Sequence, residues 1–216
     1  MRLHNVTSMK RLASFLTFCA LATLPASAQL SHFTGQIGGG FSEPVYDIGN
    51  RLNTGWNVTG GVGANINPRF GIMLDVMFND FGINQTTLNN LAVPDGTTRT
   101  WGFTLDPVVH LNPEGATDFY LTGGGGIYHR TVEFTQPAIA TVGVFDPFFG
   151  VFPVNVATNQ VIGSYSNVKG GLDAGAGVAF KLGNSHARLF AEAKFHYIYT
   201  RPTATTIVPV TFGIRW

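Results

Sequence analysis

Glu192 and His196 stand four residues apart in the stretch RLFAEAKFHYIY, with Lys194 between them. A carboxylate, an amine and an imidazole this close in sequence are ingredients of acid–base chemistry. Whether they can act together is decided by the backbone that carries them. The stretch alternates: Leu189, Ala191, Ala193, Phe195, Tyr197 and Tyr199 fall on one face, and Arg188, Glu192, Lys194 and His196 on the other. That is the period of a β-strand. On a strand, positions four apart are separated by about 13 Å, so Glu192 and His196 need cross-strand partners before they can do anything jointly. No catalytic residue is assigned on this spacing.

Other signatures of chemistry fail in the same way. The run Gly123–Gly126 invites a phosphate-cradling reading, but it is followed by IYHR and not by the Lys and Ser or Thr that a phosphate loop requires. The dinucleotide GxGxxG spacing is not met either. Glycines in a strand more simply permit tight curvature or close packing. The six histidines are scattered without metal-ligand spacing, so neither a metal nor another cofactor is expected. Cys19 is the single cysteine. Bulky Phe18 before it argues against lipid acylation, and the chain downstream is expected to contain no disulfide.

The elements that must position these residues share one pattern. Period-2 alternation recurs eight times, in FTGQIGGGF, WNVTGGVGANI, RFGIMLDVMFND, TWGFTLDPVVHL, DFYLTGGGGIYHR, VKGGLDAGAGVAFKL, RLFAEAKFHYIY and IVPVTFGIRW. In RFGIMLDVMFND, for example, Phe70, Ile72, Leu74, Val76 and Phe78 oppose Gly71, Met73, Asp75, Met77 and Asn79. A soluble β-sandwich also alternates. Here, however, one face is consistently large and apolar, while the other is glycine-rich and not crowded with Lys and Glu. Charged residues are only 12% of the chain, about half the usual share of a soluble globular protein.

Residues 1–28 read as a cleaved secretory signal peptide. Arg2, Lys10 and Arg11 make a basic start, LASFLTFCALATL is the apolar core, and PASA ends in an A-x-A cleavage site at Ala28. The remainder, 29–216, is expected to form one domain. It would hold ten basic against twelve acidic residues, a balance with no affinity for nucleic acid. No apolar run in it reaches the roughly 18 residues of a transmembrane helix.

The connections alternate as strictly as the residues. Tight turns rich in Asn, Pro and Gly occur near Asn67, over Asn112–Ala116 and over Gly183–His186. Between them lie longer loops over Ser42–Asn53, Phe81–Thr97, Glu133–Ser166 and, shorter, Arg201–Thr205. Short turns on one side and long loops on the other predict an all-β fold, an eight-stranded antiparallel up-and-down transmembrane β-barrel with its long loops outside the cell. The barrel must close, because lipid cannot satisfy the backbone groups of an open edge.

Within such a barrel there is room only for side chains. The inward set contains Asp75, Asp106, His110, Asp173, Glu192, Lys194, His196 and Arg215. Buried charges need partners, so these are expected to form an internal salt-bridge network, with a proton- or ion-conducting path as the alternative. Phe41, Trp56, Tyr128, Tyr197, Tyr199 and Trp216 suit interfacial aromatic girdles. The third long loop is unusual: it carries Phe145, Phe148, Phe149 and Phe152 but only Glu133 and Asp146 as charges. Either its ends extend the fifth and sixth strands as a hairpin that buries some aromatics, or it is an exposed apolar platform for a surface partner or hydrophobic ligand.

The signal peptide, the eight alternating segments, the glycine-rich first strands, the RLFAEAKFHYIY strand and the terminal VPVTFGIRW together resemble the OmpA/OmpX-like eight-stranded outer-membrane β-barrel family, over Gln29–Trp216. The resemblance implies residence in the outer-membrane lipid. It also implies a C-terminal signal for the barrel-assembly machinery, supplied here by Val208, Val210, Phe212, Gly213, Ile214 and Trp216, with Trp in place of the usual final Phe. The expected role is non-enzymatic, structural or in surface interaction. A narrow porin-like channel is the alternative, and a lipid A-modifying enzyme a third, for which no matching His–Ser pattern is present.

Overall fold

The computed structural model describes residues 33–183 and 185–216; the expected signal peptide lies outside them. Eight strands run through the described residues: β1 (Phe33–Pro44), β2 (Gly55–Asn67), β3 (Phe70–Gly82), β4 (Asp95–His110), β5 (Thr117–Asp146), β6 (Gly150–Lys181), β7 (Arg188–Ile198) and β8 (Thr205–Arg215). Each pairs antiparallel with the next, and β8 returns to β1, closing the sheet into a barrel. The closing seam runs from Gln36↔Arg215 to Pro44↔Ile207.

The tight turns at one end are made by the residues that demand them. Asn67 Oδ1 accepts hydrogen bonds from the N–H groups of Arg69 and Phe70, both at 2.9 Å, closing the turn from β2 to β3. Asn112 accepts from the Gly115 N–H at 3.2 Å to turn β4 into β5. Along each strand the alternation then sorts side chains. Leu74 is 48% exposed on the outer wall while its neighbour Asp75 is 3% exposed. Trp56, Phe78 and Trp101 stack against one another outside the barrel, with centroids 5.2 and 4.8 Å apart.

Two apolar clusters fill the interior. One, towards the long-loop end, gathers Leu52, Met77, Phe81, Ile83, Leu88, Tyr128, Ile198 and Ile207. The other, towards the short-turn end, gathers Met73, Val108, Tyr120, Ala179 and Phe190. Tyr128 therefore faces the lumen, 1% exposed, and does not belong to an outer girdle. Its position two residues from Arg130 and eight from Tyr120, all on the inward face, decides this.

The long-loop end is more ordered than a reading of loops suggests. The segment Phe81–Thr97 contains a helix, α1 (Gln85–Leu91), started by Asn84, whose side chain accepts the Thr86 N–H at 2.8 Å. Leu88 drops from α1 into the first apolar cluster, so the helix lies across the barrel mouth. The segment Glu133–Ser166 is not a loop: β5 and β6 stay paired up to Asp146↔Gly150, with one bulge at Phe134/Thr135. The β4–β5 ladder stops at Asp95↔Thr135, and the β6–β7 ladder begins only at Gly171↔Ile198. Beyond Thr135, β5 and β6 have only each other and project as a two-stranded hairpin.

Candidate functional site

The inward charges are seated by small neighbours. Asp75 pairs across the sheet with Gly61 on one side and Thr104 on the other. Glu192 sits between Gly177 and Thr211, and Lys194 opposite Gly175. A Cβ at Gly61 would collide with the Asp75 carboxylate, so only glycine leaves the space that this side chain fills. Alternating small and large residues is how a narrow barrel accommodates its contents.

The result is a closed circuit. Lys194 Nζ lies 2.6 Å from Asp75 Oδ2, 2.7 Å from Asp106 Oδ2 and 3.6 Å from Glu192 Oε1. Glu192 Oε2 reaches Arg215 at 3.5 Å. Arg215 donates twice to Gln36 Oε1, at 3.0 and 2.6 Å, and Gln36 Nε2 donates back to Asp75 Oδ1 at 2.7 Å. Lys194, Asp75, Gln36, Arg215 and Glu192 thus form a ring of contacts. The Arg215 guanidinium also stacks on Tyr120, 4.3 Å from its ring centre. A cavity of ≈ 20 Å³ beside Lys194 and Glu192 has room for about one water.

Three members of the sequence-derived set lie elsewhere. His110 is at the short-turn end, where Nδ1 is 2.5 Å from Asp118 Oδ2; the same carboxyl group accepts from the Asn112 N–H at 3.0 Å. Asp173 and His196 sit towards the long-loop cluster, and both face the Tyr128 hydroxyl, at 3.5 and 2.8 Å. Neither makes an ion pair among the described residues. Reading strands singly misses Gln36 and Asp118 as participants. Both stand on inward faces, but only the register shows which charges they meet.

The other chemically distinct region is the hairpin tip. Asp146 Oδ1 accepts from the N–H groups of Phe148 and Phe149, at 2.8 and 3.0 Å, and Gly150 takes the left-handed conformation, φ +75°, that lets β6 start back. Phe145, Phe148 and Phe149 are 72, 91 and 84% exposed. They are not buried between the strands; Phe152, opposite Val144, is 40% exposed. On β8, Phe212, Ile214 and Trp216 point outward with Val208 and Val210 on the same face, and Gly213 lies between Gly38 and Phe190.

A closed antiparallel barrel, apolar outside and polar within, defines the class of protein that crosses a bilayer with strands, since closing the sheet leaves its wall no open edge. The chain belongs to the outer membrane protein beta-barrel domain family, whose sequence pattern matches residues 14–213. No curated protein matches it. Among solved structures it is similar to Neisserial surface protein A, at 14% identity and TM-score 0.57, with 85% of this chain and 95% of that one covered. It is also similar to a major outer membrane protein from Thermus thermophilus, at 12% identity and TM-score 0.54, with 86% and 98% covered. At these identities the likeness is one of fold. The protein is an outer-membrane β-barrel in contact with membrane lipid.

Proposed function

We propose that this protein is a non-enzymatic barrel with a plugged lumen whose work is done at the cell surface by the β5–β6 hairpin. In this reading residues 1–28 are a cleaved leader, 29–216 the mature barrel, the long-loop end is extracellular, and β8 carries the signal read by the assembly machinery. The observation that carries the reading is the contrast between the barrel's two chemistries. Five lumen charges, Asp75, Asp106, Glu192, Lys194 and Arg215, are engaged with each other at 2.6 to 3.6 Å between two apolar clusters. The hairpin tip, in contrast, leaves three phenylalanines without protein cover.

A narrow channel is the second reading, and the polar-lined cavity beside Lys194 supports it. Planar-bilayer conductance of the purified protein, with and without residues 137–159, separates the two. Silence from both proteins, with loss of surface adhesion on deletion, supports the proposal; ion-selective conductance in the intact protein overturns it. A mass shift in lipid A on overexpression would expose an enzymatic activity instead.

A further inference from the structure

We infer that the tip of the β5–β6 hairpin inserts into the interface of a second lipid bilayer facing the outer membrane. The inference rests on the surface-interaction reading above and names its partner: a zwitterionic lipid surface.

The first reason is the state of the backbone at the tip. A turn enters the headgroup–acyl boundary at lower cost when its own main-chain donors are already satisfied. The β5–β6 ladder is paired to its last rung, Asp146↔Gly150. Between them Pro147 has no N–H, and those of Phe148 and Phe149 are both taken by the Asp146 carboxylate. The turn therefore presents apolar side chains over donors that are already engaged.

The second reason is what the turn presents. Phe145, Phe148, Phe149 and Val151 are between 72 and 91% exposed and adjoin one another around the turn. Aromatic side chains at the end of a projecting element suit the membrane–water boundary, and this patch needs to enter only the outer 5 to 10 Å or so of a bilayer to be covered.

The third reason is charge. From Phe134 to Val168 the one charged residue is Asp146, and its carboxylate is engaged in the turn. The hairpin carries no Lys or Arg to draw it to anionic lipid, so attraction is apolar and insensitive to salt. Reach completes the geometry. Thr135 to Asp146 spans eleven residue steps past the last β4–β5 pair, about 35 Å at strand rise, which carries the tip away from the membrane that holds the barrel.

The test uses the full-length protein in nanodiscs, mixed with phosphatidylcholine vesicles and floated on a density gradient. The nanodiscs are expected to float with the vesicles equally at 50 and 500 mM NaCl, about values chosen to bracket the screening range. Phe148→Ser with Phe149→Ser should lower co-flotation at least about tenfold, while heat-modified gel mobility shows the barrel still folded. In a Phe148→Trp protein, vesicles of brominated phosphatidylcholine should quench the introduced indole, since Trp56, Trp101 and Trp216 stay within the nanodisc.

Flotation that survives the double substitution, or that disappears at high salt, overturns the inference. So does association with nanodiscs that carry the protein but not with empty phosphatidylcholine nanodiscs, which would make a second copy the partner. If vesicles are not bound but deletion of 137–159 still abolishes adhesion to protein-coated surfaces, the lipid inference fails and the surface role stands. If the intact barrel conducts ions and deletion leaves adhesion unchanged, the surface role itself fails.

Discussion

Trp216 and Gly35 exchange both of their backbone hydrogen bonds, each 2.9 Å long, and the indole occupies the space that a side chain at position 35 would need. A Cβ there would come within 2.8 Å of the ring. Thr34 Oγ1 adds a 3.0 Å bond to the Trp216 carbonyl, so the seam between β1 and β8 is held to its last residue. The aromatic at position 216 and the glycine at position 35 are two halves of one contact.

Gly35→Ala is therefore expected to destabilise the barrel by about 1 to 3 kcal/mol through overpacking. Most of that cost should vanish in a Trp216→Ala background. Urea unfolding in lipid vesicles, arranged as a double-mutant cycle, measures the coupling; additive costs would mean that the indole does not restrict position 35.

Lys194→Met removes the cation shared by Asp75, Asp106 and Glu192. Leaving buried carboxylates uncompensated should cost about 3 to 5 kcal/mol. Adding Asp75→Asn and Asp106→Asn to the same protein should recover most of it, because the orphaned charges go too. The unfolding midpoints of the single and triple variants in one lipid decide the matter.

An arginine at Leu74, on the outer wall, should cost about 2 to 4 kcal/mol in a bilayer, and one at Phe70, nearer the turn, about 0 to 1 kcal/mol. Arginine at Asp75 instead meets Lys194 inside the barrel and should be costly for a different reason, like charge. Its penalty is expected to shrink when Lys194 is Met, whereas that of Leu74→Arg stays. A single cost common to all three positions would contradict the assignment of faces.

Replacing residues 138–158 with an Asn-Gly turn should change barrel stability by less than about 0.5 kcal/mol. The wall ladders end at Thr135 and begin at Gly171, so the excised part touches neither neighbour. Heat modifiability and equilibrium unfolding of the shortened protein check this.

Much of the wall was legible because a barrel strand states its facing in every second residue: Leu74 against Asp75 is readable without a partner. The identities of the partners were not. That Lys194 meets Asp75 and Asp106, while His110 meets Asp118, depends on strand tilt and register, which the turns set and local alternation does not report. The helix α1 was hidden by its length, since seven residues with Leu88 alone buried show no period. The hairpin was legible as one of two readings of Glu133–Ser166, but its full length was hidden by punctuation: Pro137, Gly143, Pro147 and Pro153 break the look of a strand, yet a two-stranded ribbon with free edges tolerates proline that a central strand would not.

That same ribbon divides β6 into two regimes of exchange with solvent. From Gly171 to Lys181 the strand has a neighbour on both sides, so its amide protons should leave only when the barrel opens. From Gly150 to Lys169 it has β5 alone, and every second amide points to open water. Followed by deuterium labelling, one unbroken strand should read as a slow stretch and a fast one that meet near Gly170, with protected and unprotected positions alternating along the fast half. The boundary between a wall and an arm would then be visible inside a single element.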